Sequence, residues 1–282
     1  MIDTSQVSII IPHLGADKQQ VYALDQCLQS LKETSQSEII IAKNNWIDLD
    51  INSGPESAKG INKIILRTQG QCKAVNAAAA TVNTPWIFVT NDDMIYPPYW
   101  WDMLVMDGDW LDKYSCVSPK LVEPRPGAPT FLVEPFGGAG GDFDKQKFLS
   151  FVKNYQTPNK RFLLKRGFNL PFLIKKELWD LVGGYDINYD PWGSNGDSDL
   201  EYKIKLAGVQ PQQNEACLVY HFSQTSGTFN PENDSYRFAN YAYFKEKWGF
   251  DRTDDGIWEA TFEIPDEGRI FRPWWEGYYE NH

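Results

Sequence analysis

The stretch Trp86-Ile87-Phe88-Val89-Thr90-Asn91-Asp92-Asp93-Met94-Ile95-Tyr96-Pro97-Pro98-Tyr99-Trp100-Trp101 decides how this chain is read. Trp86 to Val89 is an unbroken run of aromatic and branched apolar residues, the pattern of a strand buried on both faces. The run ends in Asn91-Asp92-Asp93, and Pro97-Pro98 then forbids ladder pairing and turns the chain. A buried strand that delivers carboxylates at its carboxyl end places hard oxygen ligands where open α/β sheets bind their ligands. Asn and Asp are also common turn formers, so on this stretch alone an acidic turn and a ligand site fit equally well.

Upstream, Val7-Ser8-Ile9-Ile10-Ile11 reads as a first buried strand closed by Pro12. Val21, Leu24, Leu28 and Leu31 recur at helical spacing and predict an amphipathic helix. Glu38 to Ala42 is a second strand, ending in Lys43-Asn44-Asn45, and Ile61 to Leu66 a third. Gln69-Gly70 turns the chain into an Ala-rich helix from Gln71 to Val82, which Thr84-Pro85 breaks. Strands alternating with helices imply parallel βαβ units with right-handed crossovers.

Downstream the pattern loosens. Ser115 to Val122 reads as a strand, and Pro124 to Pro129 as a turn-rich connector. Gly137-Gly138-Ala139-Gly140-Gly141 lacks the third glycine and the following helix of a dinucleotide fingerprint, so it reads as a flexible loop. Phe172 to Ile174 is a strand, and Lys175 to Val182 a short helix that Gly183-Gly184 terminates. A polar, aromatic loop from Tyr185 to Gly196 leads into a helix closed by Gly208. There Ser198 and Glu201 form the Ser-x-x-Glu pattern of a capping box, which puts Asp199 in the first turn and Asp197 just outside the helix. Leu218 to Tyr220 is a short strand delivering His221, and Asn230-Pro231 opens an aromatic helix ending at Trp248-Gly249. Residues 250–282, with Trp274, Trp275, Tyr278 and Tyr279, read as an aromatic extension packed on the domain.

With 282 residues and neither a linker nor an internal repeat, the chain has room for one large α/β domain. Its net charge of −11 argues against a nucleic-acid surface, which needs clustered Lys and Arg. It leaves a nucleotide substrate open, because a bound cation can offset the phosphate charge. Cys27, Cys72, Cys116 and Cys217 lie far apart with no metal-like pairing, and reduced core thiols are expected, as in a cytoplasmic protein. No run approaches a membrane span, and the polar start Met1-Ile2-Asp3-Thr4-Ser5 does not read as a signal peptide.

Four stretches together resemble the family-2 glycosyltransferases of GT-A fold, over roughly residues 7–249. Val7 to Pro12 is similar to the family's first strand and its proline. Gln69-Gly70 through Asn76-Ala77 resembles its glycine turn and asparagine-bearing helix. Asn91-Asp92-Asp93 sits where the family carries its Asp-x-Asp motif. Gly183-Gly184-Tyr185-Asp186, with Gly196-Asp197-Ser198-Asp199-Leu200, resembles its acceptor-side motif. The resemblance implies a single GT-A-type α/β domain over 1–249, with a mixed, mostly parallel sheet flanked by helices. Residues 1–100 would form the nucleotide-sugar half and 101–249 the acceptor half. It also implies an inverting transfer of sugar from a UDP- or GDP-linked donor to a glycan or other hydroxyl acceptor, in glycan biosynthesis. Donor contacts are implied for Pro12, His13, Lys43, Asn44, Gly70, Lys73, Asn76, Asn91 and Asp92, and acceptor contacts for Gly184, Tyr185, Trp192 and Asp199. Asp197 would be the general base, with Asp199 as its alternative.

The chemistry of such a transfer needs a divalent cation against the leaving diphosphate and a base for the attacking hydroxyl. Asp93 is the best ligand for Mn²⁺ or Mg²⁺ by residue type, and His221 the second, with imidazole favouring Mn²⁺. Two positions depart from the family pattern. Asn91 replaces the first acid of Asp-x-Asp and brings no charge to a metal. Lys43 stands where an aspartate commonly meets the base, and it cannot accept a hydrogen bond, which leaves that contact to Asn44 or to a base other than uracil. These departures keep open a degenerate fold that binds a nucleotide sugar or glycan without turnover. Lys73 also fits ordinary solvent exposure, and Trp192 fits core packing as well as stacking on a sugar.

Overall fold

The computed structural model describes residues 2–15, 17–44, 55–66, 69–105, 115–126, 131–155, 164–223, 225 and 230–251. The first half alternates as its hydrophobic pattern requires: β1 (Val7–His13), α1 (Lys18–Thr34), β2 (Glu38–Lys43), β3 (Asn62–Ile65), α2 (Gln71–Ala79) and β4 (Trp86–Val89). Then come β5 (Met94–Ile95), α3 (Trp100–Leu104), β6 (Cys116–Glu123), β7 (Leu132–Val133), α4 (Lys145–Tyr155), β8 (Leu164–Arg166) and β9 (Phe172–Lys175). Two helices, α5 (Lys176–Val182) and α6 (Gly196–Leu206), precede β10 (Gln212–His221) and α7 (Asp234–Trp248).

One mixed, mostly parallel sheet runs in the order β3-β2-β1-β4-β9-β6-β10-β5, with β7 on β6 and β8 on β10. β3, β2, β1 and β4 are parallel. β9 runs opposite between β4 and β6, so β6 and its parallel neighbour β10 point the same way as β4. The carboxyl ends of β1, β2, β4, β6 and β10 therefore share one edge. That edge receives His13, Lys43, Asn91-Asp92-Asp93, Glu123 and His221. It is the edge at which open α/β sheets bind ligands.

Period-2 alternation assigns each side chain its layer. Val7, Ile9, Ile11, Trp86 and Phe88 pack with Leu24, Leu28 and Leu31 of α1 and with Trp100. Ile10, Ile87 and Val89 face the other way, onto Ala74, Val75 and Ala78 of α2. All four cysteines are buried free thiols. Among the described residues no helix is long and apolar enough to cross a membrane.

Several boundaries differ from the sequence reading, each for a physical reason. β1 continues through Pro12 to His13. The β4 side of β1 is paired only up to Ile10, so the N–H that Pro12 lacks falls where no ladder bond is needed. Helix α2 stops at Ala79 rather than Val82, as the Thr81 and Val82 amides tighten onto carbonyls three residues back. β10 begins at Gln212, because its polar start is internally bonded: the Asn214 side chain donates to Met103 O at 2.7 Å and accepts from Ala216 N. The glycine loop at 137–141 is tied down, with the Tyr220 hydroxyl donating to Gly137 O and Gly138 N donating to Asp142 Oδ1. The chain after residue 251, and with it the expected packing of the aromatic extension, lies outside the described residues.

Candidate active site

Three groups of side chains stand along the shared sheet edge. The first is built on β4, β6 and β10. Phe222 N donates to Asp93 O at 3.0 Å, tying the turn after β4 to the end of β10. Asp93 Oδ2 accepts from Thr225 Oγ1 at 2.7 Å, and Oδ1 faces His221 Nε2 at 3.3 Å. That separation is long for a hydrogen bond, and Asp93 Oδ1 is a buried oxygen without a hydrogen-bond partner. On the other side of the ring, His221 Nδ1 lies 2.6 Å from Glu123 Oε1. Burial disfavours charge on His221, but the Asp93 and Glu123 carboxylates overcome it and raise the imidazole to about 10. For Asp93 burial likewise opposes the charge, and His221 with Thr225 outweighs it and holds the carboxyl below its ordinary value.

This set fits a divalent cation in donor chemistry, although it supplies few ligands. An orphaned carboxylate oxygen and an imidazole Nε2 face each other, and the second ring nitrogen is fixed by a carboxylate, the usual outer partner of a metal-binding histidine. Among the described residues no group of three or more His, Cys, Asp or Glu gathers as a metal shell. Asp93 and His221 would hold an ion only with oxygens from a ligand or water, as sites that bind metal together with phosphate do. Glu123 escaped the sequence reading, yet it carries the same signal as Asp93: an acid at the end of an apolar strand, here just before Pro124.

The second group lies on β1 and β2. His13 Nδ1 meets Asp92 Oδ2 at 2.5 Å, both side chains buried. Burial raises the Asp92 carboxyl, and His13 offsets only part of this. A Cβ on Gly15, whose φ is +66°, would stand 2.9 Å from His13 Nε2, so a glycine lets the chain fold tightly over the ring. Asn44 N donates to His13 O, and Asn44 Oδ1 is a buried acceptor without a partner. Lys43 is half-buried at the end of β2, and Asn91 half-buried after β4.

The third group joins α2 to the loop before α6, and here several expected contacts prove to be internal. Helix α2 starts at the same edge, where Cys72 N and Lys73 N donate to the Asp190 carboxylate at 2.8 and 3.1 Å. A Cβ on Gly70 would come within 2.4 Å of Asp190 Oδ2, so Gly70 makes room for this cap. The amino end of α2 is thus already occupied by an anion, with Lys73 half-buried beside it. Asn76 is spent on the backbone of Tyr185: Nδ2 donates to its carbonyl at 2.8 Å, and Oδ1 accepts from its amide at 2.9 Å. Gly184, with φ +63°, lies so close that a Cβ would sit 2.6 Å from Asn76 Oδ1 and 2.8 Å from Trp179. Its carbonyl accepts from Lys203 Nζ. Tyr185 is buried, and its hydroxyl donates to Asp197 Oδ1 at 2.8 Å. None of Asn76, Gly184 and Tyr185 presents the sugar-binding surface expected of it.

Helix α6 also begins earlier than the capping-box pattern implies. Its N-cap is Asn195 in the left-handed region, with no side-chain cap, and both Asp197 and Asp199 lie in the first turn. The two acids differ sharply in their surroundings. Asp199 is 0% exposed, ringed by Trp248 Nε1 at 2.9 Å, the Tyr189 hydroxyl at 3.3 Å, Lys247 Nζ at 2.7 Å and Lys203 Nζ at 3.5 Å. Its carboxylate is buried among these internal partners. Asp197 stays partly exposed at the helix start. Trp192, between Pro191 and Gly193, is half-exposed in the same loop.

Residues 8–127 match the family model for glycosyl transferase family 2. Among solved structures the chain is similar to GalNAc-T7 crystallised with UDP, GalNAc and Mn²⁺, at 16% identity and a TM-score of 0.59. That match covers 86% of this chain and 48% of the other, so the chain spans about half the length of that relative. It is also similar to residues 1–349 of TarS from S. aureus, at 12% identity and a TM-score of 0.52, over 89% of this chain and 74% of that one. No curated protein sequence matches the chain. The chain thus has the fold of the GT-A glycosyltransferases, and its residues 8–127 are similar to glycosyl transferase family 2.

Proposed function

We propose that the protein is an inverting glycosyltransferase that uses a nucleotide-diphosphate sugar and a divalent cation. The observation that carries this reading is the unpartnered Asp93 Oδ1 opposite His221 Nε2, at the ligand-binding edge of the sheet. Asp93 and His221 would hold Mn²⁺ or Mg²⁺, which when bound offsets the charge of the leaving diphosphate. The relative GalNAc-T7 was crystallised with UDP and Mn²⁺, which supports the same pairing of nucleotide and metal here.

His13, Lys43 and Asn44 lie where β1 and β2 end and would meet the nucleoside. The open Asn44 Oδ1 can accept an N–H and an amide Nδ2 can donate, so the amide matches a base edge that offers one donor beside one acceptor, as uracil does. Asp197 would take the proton from the acceptor hydroxyl as that oxygen bonds to the anomeric carbon and the nucleoside diphosphate departs. Its partial exposure supports this role, and the burial of Asp199 speaks against the alternative base. Trp192 would stack on the acceptor sugar.

Thermal shift with UDP and GDP, each with Mn²⁺ or EDTA, tests the reading together with donor turnover over a panel of nucleotide sugars. Stabilisation that needs both nucleotide and metal, lost in Asp93→Ala, is the expected result. Equal stabilisation in EDTA and in Asp93→Ala overturns the shared metal site. Metal-dependent binding with no turnover of any donor would establish instead a nucleotide-sugar binding module, the reading that Asn91 favours.

A further inference from the structure

We infer that Tyr185 and Asn76 are positioning residues that hold Asp197 in place as the proton acceptor. This inference rests on the reading of Asp197 as the base. Asp197 stands in the first turn of α6. Its Oδ1 is fixed by the Tyr185 hydroxyl at 2.8 Å. That hydroxyl is in turn held by the burial of its ring, which packs edge-on against Trp179 at 5.6 Å and against Phe172 at 6.5 Å. The backbone of Tyr185 is gripped at both polar atoms by Asn76, a residue of the other half of the chain 109 positions earlier. Gly184 permits the close approach of the Asn76 amide that this grip needs. A relay thus runs from the rigid, sheet-packed helix α2 through the Tyr185 backbone and ring to one oxygen of Asp197.

The hydroxyl cannot compete with Asp197 as an acid or base, because burial, reinforced by the neighbouring carboxylate, raises Tyr185 well above the ordinary tyrosine value. Its one service is to donate a hydrogen bond. Tyr185→Phe removes that donor and keeps the ring, so the core packing stays. Positioning is worth rate when a reacting group must be held within about half an ångström of its productive place.

The experiment is a double-mutant cycle of Tyr185→Phe with Asp197→Asn, reading kcat and donor KM for turned-over nucleotide sugar. Tyr185→Phe is expected to lower kcat by roughly 10-fold with donor KM unchanged, an effect that disappears in the Asp197→Asn background. Asn76→Ala should lower kcat in the same Asp197-dependent way. A Tyr185→Phe enzyme with unchanged kcat, or one whose loss adds fully to that of Asp197→Asn, overturns the relay while leaving Asp197 as base. Full activity in Asp197→Asn overturns the base itself. If no donor is turned over, the cycle is read in melting temperature, and additive shifts there overturn the Tyr185–Asp197 coupling without any substrate.

Discussion

The acids at the ends of the strands and the acids of the loop before α6 differ in what the protein sets against them: histidines at the edge, lysines, backbone amides and ring donors in the loop. Asp93 reaches the sheet edge with one oxygen bonded to Thr225 and the other left facing His221. Across the loop 186–199, by contrast, carboxylates are used up in holding elements together. Asp186 takes Lys247 at 2.7 Å and the Tyr243 hydroxyl at 2.9 Å, Asp190 caps α2, and Asp199 anchors α7 through Trp248 and Lys247. Asp197 accepts from the Tyr185 hydroxyl at 2.8 Å and differs from Asp199 in staying partly exposed. Asp199 Oδ2 also lacks a hydrogen bond, but Lys203 Nζ stands 3.5 Å from it and Lys247 Nζ 2.7 Å from Oδ1, so its charge is met by two lysines, whereas Asp93 Oδ1 faces one imidazole at the ligand-binding edge of the sheet.

The sharpest way to break this contrast is to remove the charge of each helix-start acid in turn. Asp199→Asn takes the carboxylate away from the buried Lys203 and removes one of the two acids that Lys247 meets, Asp186 being the other. Breaking such a buried pair costs about 3 kcal/mol, which for a domain of this size lowers Tm by roughly 6–12 °C. Asp197→Asn touches a partly exposed group, so its Tm should move by no more than about 2 °C while turnover falls by roughly 10². Differential scanning calorimetry beside a turnover assay reads both. Equal melting losses in the two variants would erase the distinction between scaffold and site.

The next effect tests the edge group. Glu123→Gln keeps the shape of the side chain but weakens its hold on His221 Nδ1, which fixes the tautomer that aims Nε2 at Asp93. Loss of such an outer partner lowers metal affinity by about 10–100-fold. Mn²⁺ titration by calorimetry in the presence of UDP should show that drop with little change in Tm. An unaltered Mn²⁺ affinity would make Glu123–His221 a purely structural ion pair.

Much of this was legible in the sequence because it is local. The run Trp86 to Val89, the alternation around it and the proline after it dictate a buried strand, and the acid at its end follows from the same few residues. The loop acids were not legible in that way. Asp190 caps a helix that begins 119 residues earlier, Asn76 grips a backbone 109 residues on, and Asp199 is buried by Trp248, 49 residues away. No local pattern encodes such partners. The Ser198–Glu201 pattern misled for a related reason. The helix starts three residues before the local signal does, with Gly196 packed so tightly that a Cβ would lie 3.3 Å from Cys72 Sγ. Proximity in sequence therefore revealed elements and strand ends, and failed wherever one half of the chain supplies the partner of the other.

The smallest expected effect concerns the base, and it sharpens the comparison at the edge. Lys43 ends β2 beside Asn44, whose Oδ1 lacks a partner, so the two residues place a cation next to an open acceptor. If they meet the nucleobase, Lys43→Asp replaces a side chain that only donates with one that only accepts. A carboxylate can take the adjacent N1–H and N2–H donors of guanine, which the lysine cannot. A carboxylate can equally take the N3–H of uracil, so the ratio of UDP to GDP affinity should then change by roughly tenfold in whichever direction the carboxylate fits, because one hydrogen bond to a charged group is worth about 1.5 kcal/mol or more. The two affinities, measured by calorimetry with Mn²⁺ present, are to be compared as a ratio. A ratio that holds while both affinities fall together moves Lys43 away from the base and onto the phosphates, where it would serve any nucleotide equally. A changed ratio keeps it at the base, and makes the end of β2 the place where this chain departs from an aspartate-ended strand.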